Sequence, residues 1–214
     1  SDEIALVKDP RGRVAEQFRG LRNSIIALNP EGAPRSVVVT STASGEGKTV
    51  ATINLGLALA ELPGTEVLLI DANLHSPGIE GYLGLPNRQG LADVLAGTCD
   101  LDSAVRATSV PGVQVMGAGT LPDNPSQLLG SERMRTILGT LKRGFTYVLI
   151  DTPEALRISD ASLIGGIADG IVLVVRLGVT PRHHVEQTHN TLEALGGNVL
   201  GTCLTGAEED GGFD

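Results

Sequence analysis

The stretch Ser36-Val-Val-Val-Thr-Ser-Thr-Ala-Ser-Gly-Glu-Gly-Lys-Thr49 decides the fold of this chain. Its first residues, Ser36–Thr40, are mostly β-branched and predict a buried strand, whereas the residues from Thr49 onward predict a helix. A glycine-rich loop ending in Lys48 connects the two. Backbone N–H groups of such a loop and the N-terminus of the following helix bind phosphate oxygens, and the glycines permit close approach. The stretch therefore predicts a phosphate-binding site at the end of a strand.

The loop residues have expected roles in binding a nucleoside triphosphate. Lys48 would reach the β and γ phosphates, and the hydroxyl of Thr49 would ligate Mg²⁺. The loop departs from the pattern GxxxxGK[ST] at its first position, where Thr42 replaces glycine. We predict that the nucleotide contacts the following residues: Ser44, Gly45, Glu46, Gly47, Lys48, Thr49 and Val50.

Two aspartates, Asp71 and Asp151, each follow an apolar run that predicts a strand. Ligands bind at the carboxyl ends of the strands in sheets of this kind, so both carboxylates are expected to face Lys48 and Thr49. Asp151 would hold Mg²⁺ through water, and Asp71 would hold the metal or accept a proton. We therefore predict Lys48, Asp71 and Asp151 as catalytic residues and Thr49, Asp71 and Asp151 as the metal site. The alternative for each aspartate is a helix cap.

Strands and helices alternate along the chain. The predicted strands are Ser36–Thr40, Glu66–Ile70, Val113–Met116, Thr146–Ile150, Gly170–Val175 and Asn198–Leu204. The predicted helices are Arg13–Leu28, Thr49–Glu61, Ser131–Lys142 and Pro181–Leu195. This alternation predicts an α/β fold with a doubly wound, mainly parallel sheet flanked by helices. We expect a single domain over residues 1–214, with a turn at Asn29–Arg35 and a flexible acidic tail over residues 206–214.

The composition of the 214 residues limits the partners. The net charge is −9 without a basic block, which argues against nucleic acid as a partner because binding to its phosphate backbone needs clustered Lys and Arg. No apolar run approaches the roughly 18 residues of a membrane span. The two cysteines, Cys99 and Cys203, lie far apart, which fits a reducing cytoplasm.

Several motifs together resemble the bacterial tyrosine kinases, the cytoplasmic ATP-binding domains of capsule and exopolysaccharide co-polymerase systems. Residues 41–49 look like the Walker A motif of that family, and Val148-Leu-Ile-Asp-Thr-Pro153 looks like its Walker B motif. Residues 69–75 occupy the place of its second acidic motif, usually written DxDxR. Residues 119–129 are similar to a loop and helix start typical of the family. In the helix predicted within residues 10–30, Glu16, Arg19 and Arg22 match its ExxRxxR element.

The resemblance implies a P-loop NTPase fold of the MinD-like group that binds ATP or ADP with Mg²⁺. It implies protein-tyrosine phosphorylation and a role in polysaccharide synthesis and export. The expected location is the cytoplasm, at the inner face of the membrane, through a membrane co-polymerase that is fused or separate. Glu16, Arg19 and Arg22 would mediate subunit contact in a homo-oligomer. The alternative for these three residues is an intramolecular ion pair on a solvated helix face.

Departures from the family pattern concentrate in the second acidic motif. Asn73 replaces its second carboxylate, and His75 replaces its arginine. Asn73 is neutral and cannot accept a substrate proton as a carboxylate does. The C-terminal tyrosine cluster of the family is missing, since the only tyrosines are Tyr82 and Tyr147. We therefore predict nucleotide binding with little or no autophosphorylation.

Two other functions remain open. In the first, the chain is a nucleotide-gated assembly or regulatory protein whose ATP state controls oligomerisation or partner docking. In the second, it is a partitioning or cell-division ATPase of the MinD/ParA type. Proteins of that type carry an additional lysine early in the loop, where Ala43 stands here, and this difference counts against the second alternative.

Overall fold

The computed structural model describes residues 3–28, 35–156 and 158–206. Within these residues, seven strands form one sheet. The strands are β1 (Arg35–Ser41), β2 (Val67–Asp71), β3 (Arg106–Ala107), β4 (Val113–Met116), β5 (Tyr147–Asp151), β6 (Gly170–Arg176) and β7 (Val199–Thr205). Their order in the sheet is β3-β4-β2-β5-β1-β6-β7. All pairs are parallel except β3 with β4, which is antiparallel.

Helices cover both faces of the sheet. They are α1 (Ala5–Lys8), α2 (Arg13–Ala27), α3 (Lys48–Ala60), α4 (Ile79–Tyr82), α5 (Leu91–Ala96), α6 (Leu101–Ala104), α7 (Pro125–Leu129), α8 (Glu132–Gly144), α9 (Asp160–Gly165) and α10 (Arg182–Ala194). Neighbouring side chains of a strand point to opposite faces, so Leu68 and Ile70 pack with α5 and α8 whereas Leu69 packs with α3. In the centre of the sheet, where both faces are buried, β2, β5 and β6 are largely continuous apolar runs, as expected for a parallel sheet.

The predicted fold class is confirmed. All six predicted strands and all four predicted helices are present, with ends that differ by at most two residues. Ser131 caps α8, and its hydroxyl accepts a hydrogen bond from the Met134 amide. The sequence did not predict β3, which has two residues, or most of the short helices, because four to six residues complete fewer than two helical turns and show no helical periodicity. The predicted turn at Asn29–Arg35, apart from Arg35 in β1, lies outside the described residues, as does the predicted tail at residues 206–214 apart from Gly206.

The sheet order brings the predicted site residues together. β5 pairs with both β1 and β2, so the carboxyl ends of these three strands are adjacent. Asp71 and Asp151 are the last residues of β2 and β5, and they are register partners. The loop after β1 leads into α3 at the same edge of the sheet. No helix in the described part of the chain is long and apolar enough to span a membrane.

Candidate functional site

The glycine-rich loop between β1 and α3, residues 42–47, has the backbone shape of a phosphate-binding loop, and we call it the P-loop. Gly45 has a φ of 79° and Gly47 a φ of 90°, in the left-handed region that favours glycine. Gly47 is the N-cap of α3, and no side chain among the described residues caps the N-terminus of this helix. The amides of Lys48, Thr49 and Val50 therefore remain available for an anion, as expected at a helix N-terminus.

Three side chains hold the P-loop in place: its own Glu46, Thr180 from the loop after β6, and Thr205 at the end of β7. Glu46 is buried, and one of its carboxylate oxygens accepts a 2.9 Å hydrogen bond from the Ala43 amide. The other oxygen accepts a hydrogen bond from the hydroxyl of Thr180. The hydroxyl of Thr205 donates to the carbonyl of Glu46 over 2.7 Å. The side chain of Glu46 is thus committed to the loop, which leaves its backbone for the predicted phosphate contact.

Thr49 and Asp151 form a direct pair. The Thr49 hydroxyl donates a 2.6 Å hydrogen bond to Oδ2 of Asp151, which has no exposed surface. Oδ1 of Asp151 is buried and has no hydrogen-bond partner among the described residues. Burial, followed by the charge of Asp71, raises the pKa of Asp151 to about 8. This oxygen is available to bind a group that the described residues do not provide.

Asp71 has a different environment from Asp151. Its Oδ2 accepts hydrogen bonds from the amides of Gly78 and Ile79, at 2.8 and 2.9 Å, and its Oδ1 accepts one from the Asn73 amide at 3.2 Å. Burial raises the pKa of Asp71 to about 6, although the three amide hydrogen bonds oppose that shift. The side chain is 1% exposed. In this arrangement Asp71 fixes the loop after β2, and both of its oxygens already have partners.

Lys48 is the cation of the site. It is buried, and among the residues that the structure describes none forms an ion pair with its ammonium group. Its charge lowers the pKa of Asp151, although burial has the larger, opposite effect. A buried ammonium without a counter-ion is unfavourable unless an anion is bound nearby. Lys48 therefore indicates a site for a negatively charged ligand.

A cavity of about 420 Å³ lies between the P-loop and the loop after β2. Its P-loop side is formed by Ser44, Gly45, Gly47, Lys48, Thr49 and Val50. Its opposite wall is formed by Asn73, His75, Ser76, Pro77 and Gly78, and Tyr82, Glu154 and Ile158 complete the lining. A second cavity of about 360 Å³ adjoins the other side of the P-loop and includes Phe18, Arg176 and Thr205. Together the two cavities provide space along the P-loop from Ser44 to Gly47.

The wall opposite the P-loop contains a histidine, His75, whose ring contacts a buried carboxylate. Nε2 of His75 lies 3.0 Å from Oδ2 of Asp160, the first residue of α9, which is fully buried. The other oxygen of Asp160 accepts a hydrogen bond from the hydroxyl of Ser126 in α7. Sequence reasoning noted His75 only as a departure from the family pattern. It missed Asp160, Ser126 and Thr180, because isolated polar residues in loops and at helix starts give no signal in one sequence.

Glu16, Arg19 and Arg22 lie on one face of α2, and the two arginines contact α3. Arg19 forms two hydrogen bonds with the carboxylate of Glu61, at 2.5 and 2.7 Å, and also contacts Glu16. Arg22 donates to the Ala58 carbonyl over 2.9 Å and to Glu61 over 3.2 Å. The hydrogen bond from Arg19 lowers the pKa of Glu61. Within the single chain these residues form the intramolecular ion pairs that the sequence left open as an alternative.

The donor set fits Mg²⁺. Thr49 and Asp151 offer oxygen atoms, and one oxygen of Asp151 lacks a partner among the described residues. Mg²⁺ in nucleotide sites is held by one or two protein oxygens, phosphates and waters, whereas dedicated cages of several side chains are uncommon. No cluster of three or more Cys, His, Asp or Glu side chains suitable for a metal exists in the described parts of the chain.

Comparison with known proteins identifies the family. Residues 37–205 match the family described as CobQ/CobB/MinD/ParA nucleotide binding domain. The chain is also 32% identical over 203 residues to tyrosine-protein kinase YwqD of Bacillus subtilis, an alignment that covers 95% of this chain and 85% of YwqD. The chain belongs to the bacterial tyrosine kinase family. The predicted resemblance is therefore confirmed at the level of the family.

Solved structures agree with this assignment. The kinase domain of Escherichia coli tyrosine kinase ETK superposes with a TM-score of 0.92 at 29% identity, over 97% of this chain and 81% of that chain. The septum site-determining protein MinD from Pyrococcus horikoshii, complexed with Mg-ADP, superposes with a TM-score of 0.70 at 26% identity, over 82% of this chain and 72% of that chain. The fold is thus shared by tyrosine kinases and MinD-like ATPases, and the similarity to the kinase domain is greater.

Proposed function

We propose that this chain binds ATP together with Mg²⁺ in the cavity between the P-loop and the loop after β2. The observation that supports this most strongly is the arrangement of three residues. Lys48 supplies a buried cation, and Thr49 and Asp151 supply oxygen atoms, of which Oδ1 of Asp151 lacks a partner among the described residues. This combination of a cation and an available carboxylate oxygen suits a ligand that carries phosphates and a divalent metal.

Different residues would bind the phosphates, the metal and the base of the nucleotide. The amides of the P-loop and of the first turn of α3 donate to phosphate oxygens, and Lys48 neutralises the β and γ phosphates. Thr49 and Asp151 hold the metal, and Asp71 supports them by fixing the wall that begins at Asn73. Mg²⁺, when bound, neutralises phosphate charge and orients the terminal phosphate. The base would occupy the second cavity, beside Phe18 and Thr205.

The phosphoryl-transfer step is the part of the family function that this chain is least equipped to perform. Both oxygens of Asp71 accept backbone hydrogen bonds, and Asn73 replaces the second carboxylate of the family motif. Tyr147 lies in a buried strand. We propose a nucleotide-binding member of the family with little or no autophosphorylation. Its role would be in polysaccharide synthesis and export, at the cytoplasmic face of the membrane, with a membrane co-polymerase as partner.

A binding and transfer assay with labelled ATP tests both halves of the proposal. Wild-type protein should retain labelled ATP in Mg²⁺ buffer, and Lys48→Ala should lose most of it. Lys8→Ala is the matched control, because Lys8 is an exposed lysine at the end of α1. Retention by Lys48→Ala equal to that of wild type would contradict the binding site. Appearance of labelled phosphotyrosine on the wild-type chain would contradict the second half.

Nucleotide-gated assembly is the second candidate function, and one observation favours it. The helix that begins at the P-loop, α3, is also the helix against which Arg19 and Arg22 pack through Glu61 and Ala58. The second cavity is lined by Phe18 of α2 as well as by P-loop residues. A nucleotide at the start of α3 would therefore bias the position of α2, whose Glu16 remains exposed for contact with another subunit.

Light scattering with and without Mg-ATP tests assembly. We expect a larger average mass in the presence of Mg-ATP, and we expect the double variant Arg19→Ala/Arg22→Ala to abolish the increase. Arg135→Ala is the control, because Arg135 is an exposed arginine on α8. A mass that does not depend on nucleotide, or one that is unaffected by the double variant, would exclude this candidate.

A further inference from the structure

The wall opposite the P-loop contains one side chain that can become a cation, and the binding scheme above leaves it without a role. This side chain is His75. The other titratable groups that line the cavity, among the described residues, are Lys48, Tyr82 and Glu154. Lys48 belongs to the P-loop side, whereas Glu154 is an anion that would repel phosphate. Among the described titratable groups, His75 is therefore the one through which the wall opposite the P-loop can attract a phosphate.

The ring of His75 is held by a buried carboxylate. Nε2 lies 3.0 Å from Oδ2 of Asp160, and Asp160 is itself oriented by the hydroxyl of Ser126. An ionised carboxylate only accepts hydrogen bonds, so Nε2 carries the proton in this contact and Nδ1 is the ring nitrogen left for a ligand. The His75 side chain is 39% exposed, in contrast to Asp160, which is fully buried. A fixed ring with one available nitrogen at a cavity wall has the features of a ligand contact.

We propose that His75 recognises the terminal phosphate of a bound nucleoside triphosphate and that Asp160 positions its ring. This inference deepens the proposed function and rests on it. A nucleotide bound with its β phosphate in the P-loop directs its next phosphate away from the loop, toward the opposite wall. A protonated imidazole there donates a charge-assisted hydrogen bond to a phosphate oxygen, and Asp160 stabilises the imidazolium from the other side.

The neighbours of His75 on the wall are less suited to this contact. Asn73, whose Oδ1 accepts a hydrogen bond from the Ser76 amide, and Ser76 offer a phosphate only neutral side-chain donors, which form weaker hydrogen bonds than a charged one. The Gly78 amide donates to Asp71, and Pro77 has no amide hydrogen to donate. A diphosphate ends within the P-loop and leaves His75 without a ligand. The contact with His75 consequently distinguishes a triphosphate from a diphosphate.

Competitive displacement of a fluorescent nucleotide, in Mg²⁺ buffer, measures this selectivity directly. The quantity of interest is the ratio of the dissociation constant of ADP to that of a non-hydrolysable ATP analogue. We expect His75→Ala to lower this ratio about tenfold, mainly by weakening the binding of the triphosphate, because one charge-assisted hydrogen bond is lost. His75→Arg should preserve the ratio, since it keeps a cation at this position, and Asp160→Asn should lower it by less than His75→Ala.

The matched control is His189→Ala, because His189 lies on α10 and does not line the cavity. Circular dichroism and thermal melting establish that each variant is folded, and His75→Asn serves as a second variant of similar size. A ratio unchanged in both His75→Ala and His75→Asn would overturn the inference while leaving nucleotide binding intact. Equal weakening of both nucleotides would also overturn it. If the wild type binds neither nucleotide, the proposed function fails together with the inference.

Discussion

The hydroxyl of Thr49 lies 2.6 Å from Oδ2 of Asp151, and this hydrogen bond joins the start of α3 to the end of β5. The second oxygen of Asp151 is buried and without a hydrogen-bond partner in the described residues. A buried acceptor in this state lowers the stability of the fold until a ligand satisfies it. The pair therefore links the stability of the protein to the occupancy of its site.

Removal of the charge at Asp151 is expected to stabilise the ligand-free protein at high pH. Burial and the charge of Asp71 raise the pKa of Asp151 to about 8, whereas the unfolded value is near 3.8. Between these pH values the folded state holds a proton that the unfolded state has released, so stability falls as pH rises from about 4 to about 8. Asp151→Asn should raise the free energy of unfolding at pH 8 by at least about 1.4 kcal/mol, the equivalent of one pKa unit.

Urea denaturation at pH 5 and pH 8 checks this expectation. The gain from Asp151→Asn should be present at pH 8 and should shrink at pH 5, where the native carboxyl is protonated. Asp123→Asn, a change at an exposed aspartate in the loop before α7, is the control and should show no such difference. Destabilisation by Asp151→Asn at pH 8 would contradict the inference that the charged form of this buried carboxylate destabilises the ligand-free fold.

Thr180 is expected to matter for the P-loop although it lies far from it in sequence. Its hydroxyl donates to the buried carboxylate of Glu46. Thr180→Val would leave that acceptor without its donor, and the expected loss is about 1–3 kcal/mol in the free energy of unfolding. Nucleotide affinity should also fall, because the P-loop is less firmly held. Thr191→Val on the exposed face of α10 is the control, and an equal effect of the two variants would contradict the role of Thr180.

The sequence predicted the parts of this structure that depend on local patterns. Apolar runs predicted every long strand, and the spacing around Lys48 predicted a phosphate loop in the correct strand and helix context. The positions of Asp71 and Asp151 at strand ends were also predicted, whereas their register partnership appears only in the structure. These features succeed because hydrophobic periodicity and loop geometry are encoded within a few consecutive residues.

The partners that lie far apart in sequence could not be predicted in this way. The pair of Asp160 with His75 spans 85 positions, and the pair of Thr180 with Glu46 spans 134. Neither Asp160 nor Thr180 belongs to a recognisable motif. Their contacts with His75 and Glu46 form only because the order of the strands brings distant loops together. The hydrogen bonds from backbone amides to the Asp71 carboxylate could not be predicted either, because they depend on the backbone conformation of residues 73–79.

Restoring the carboxylate at position 73 is expected to increase phosphoryl transfer. Asn73 lines the cavity, and Asn73→Asp keeps an oxygen acceptor for the Ser76 amide while adding a group that can accept a proton. General-base catalysis contributes about 10²–10⁴-fold to enzymatic rates, so a rise of about tenfold or more is expected. Transfer of labelled phosphate to a tyrosine-containing polymer measures it. Asn190→Asp on α10 is the control, and an unchanged rate with intact nucleotide binding would contradict the expectation.

The contact between Arg19 and Glu61 is expected to couple α2 to α3. The two side chains form paired hydrogen bonds of 2.5 and 2.7 Å and are only partly exposed, so a double-mutant cycle is expected to give a favourable coupling free energy that exceeds that of a fully exposed pair. The exposed pair of Arg182 and Glu186 on α10 provides the comparison and should couple by about 0.3–0.5 kcal/mol. If the cycle for Arg19 and Glu61 gave no more than this comparison, the pair would not join the two helices energetically.

Calorimetric titration of ATP into the protein, in Mg²⁺ and again in EDTA, measures directly whether nucleotide and metal bind together at this site. We expect one nucleotide per chain in Mg²⁺, at least about tenfold weaker binding in EDTA, and no such difference in Asp151→Asn, because this carboxylate is proposed to hold Mg²⁺. Binding that is absent in Mg²⁺, or that is equally strong in EDTA, would contradict this expectation.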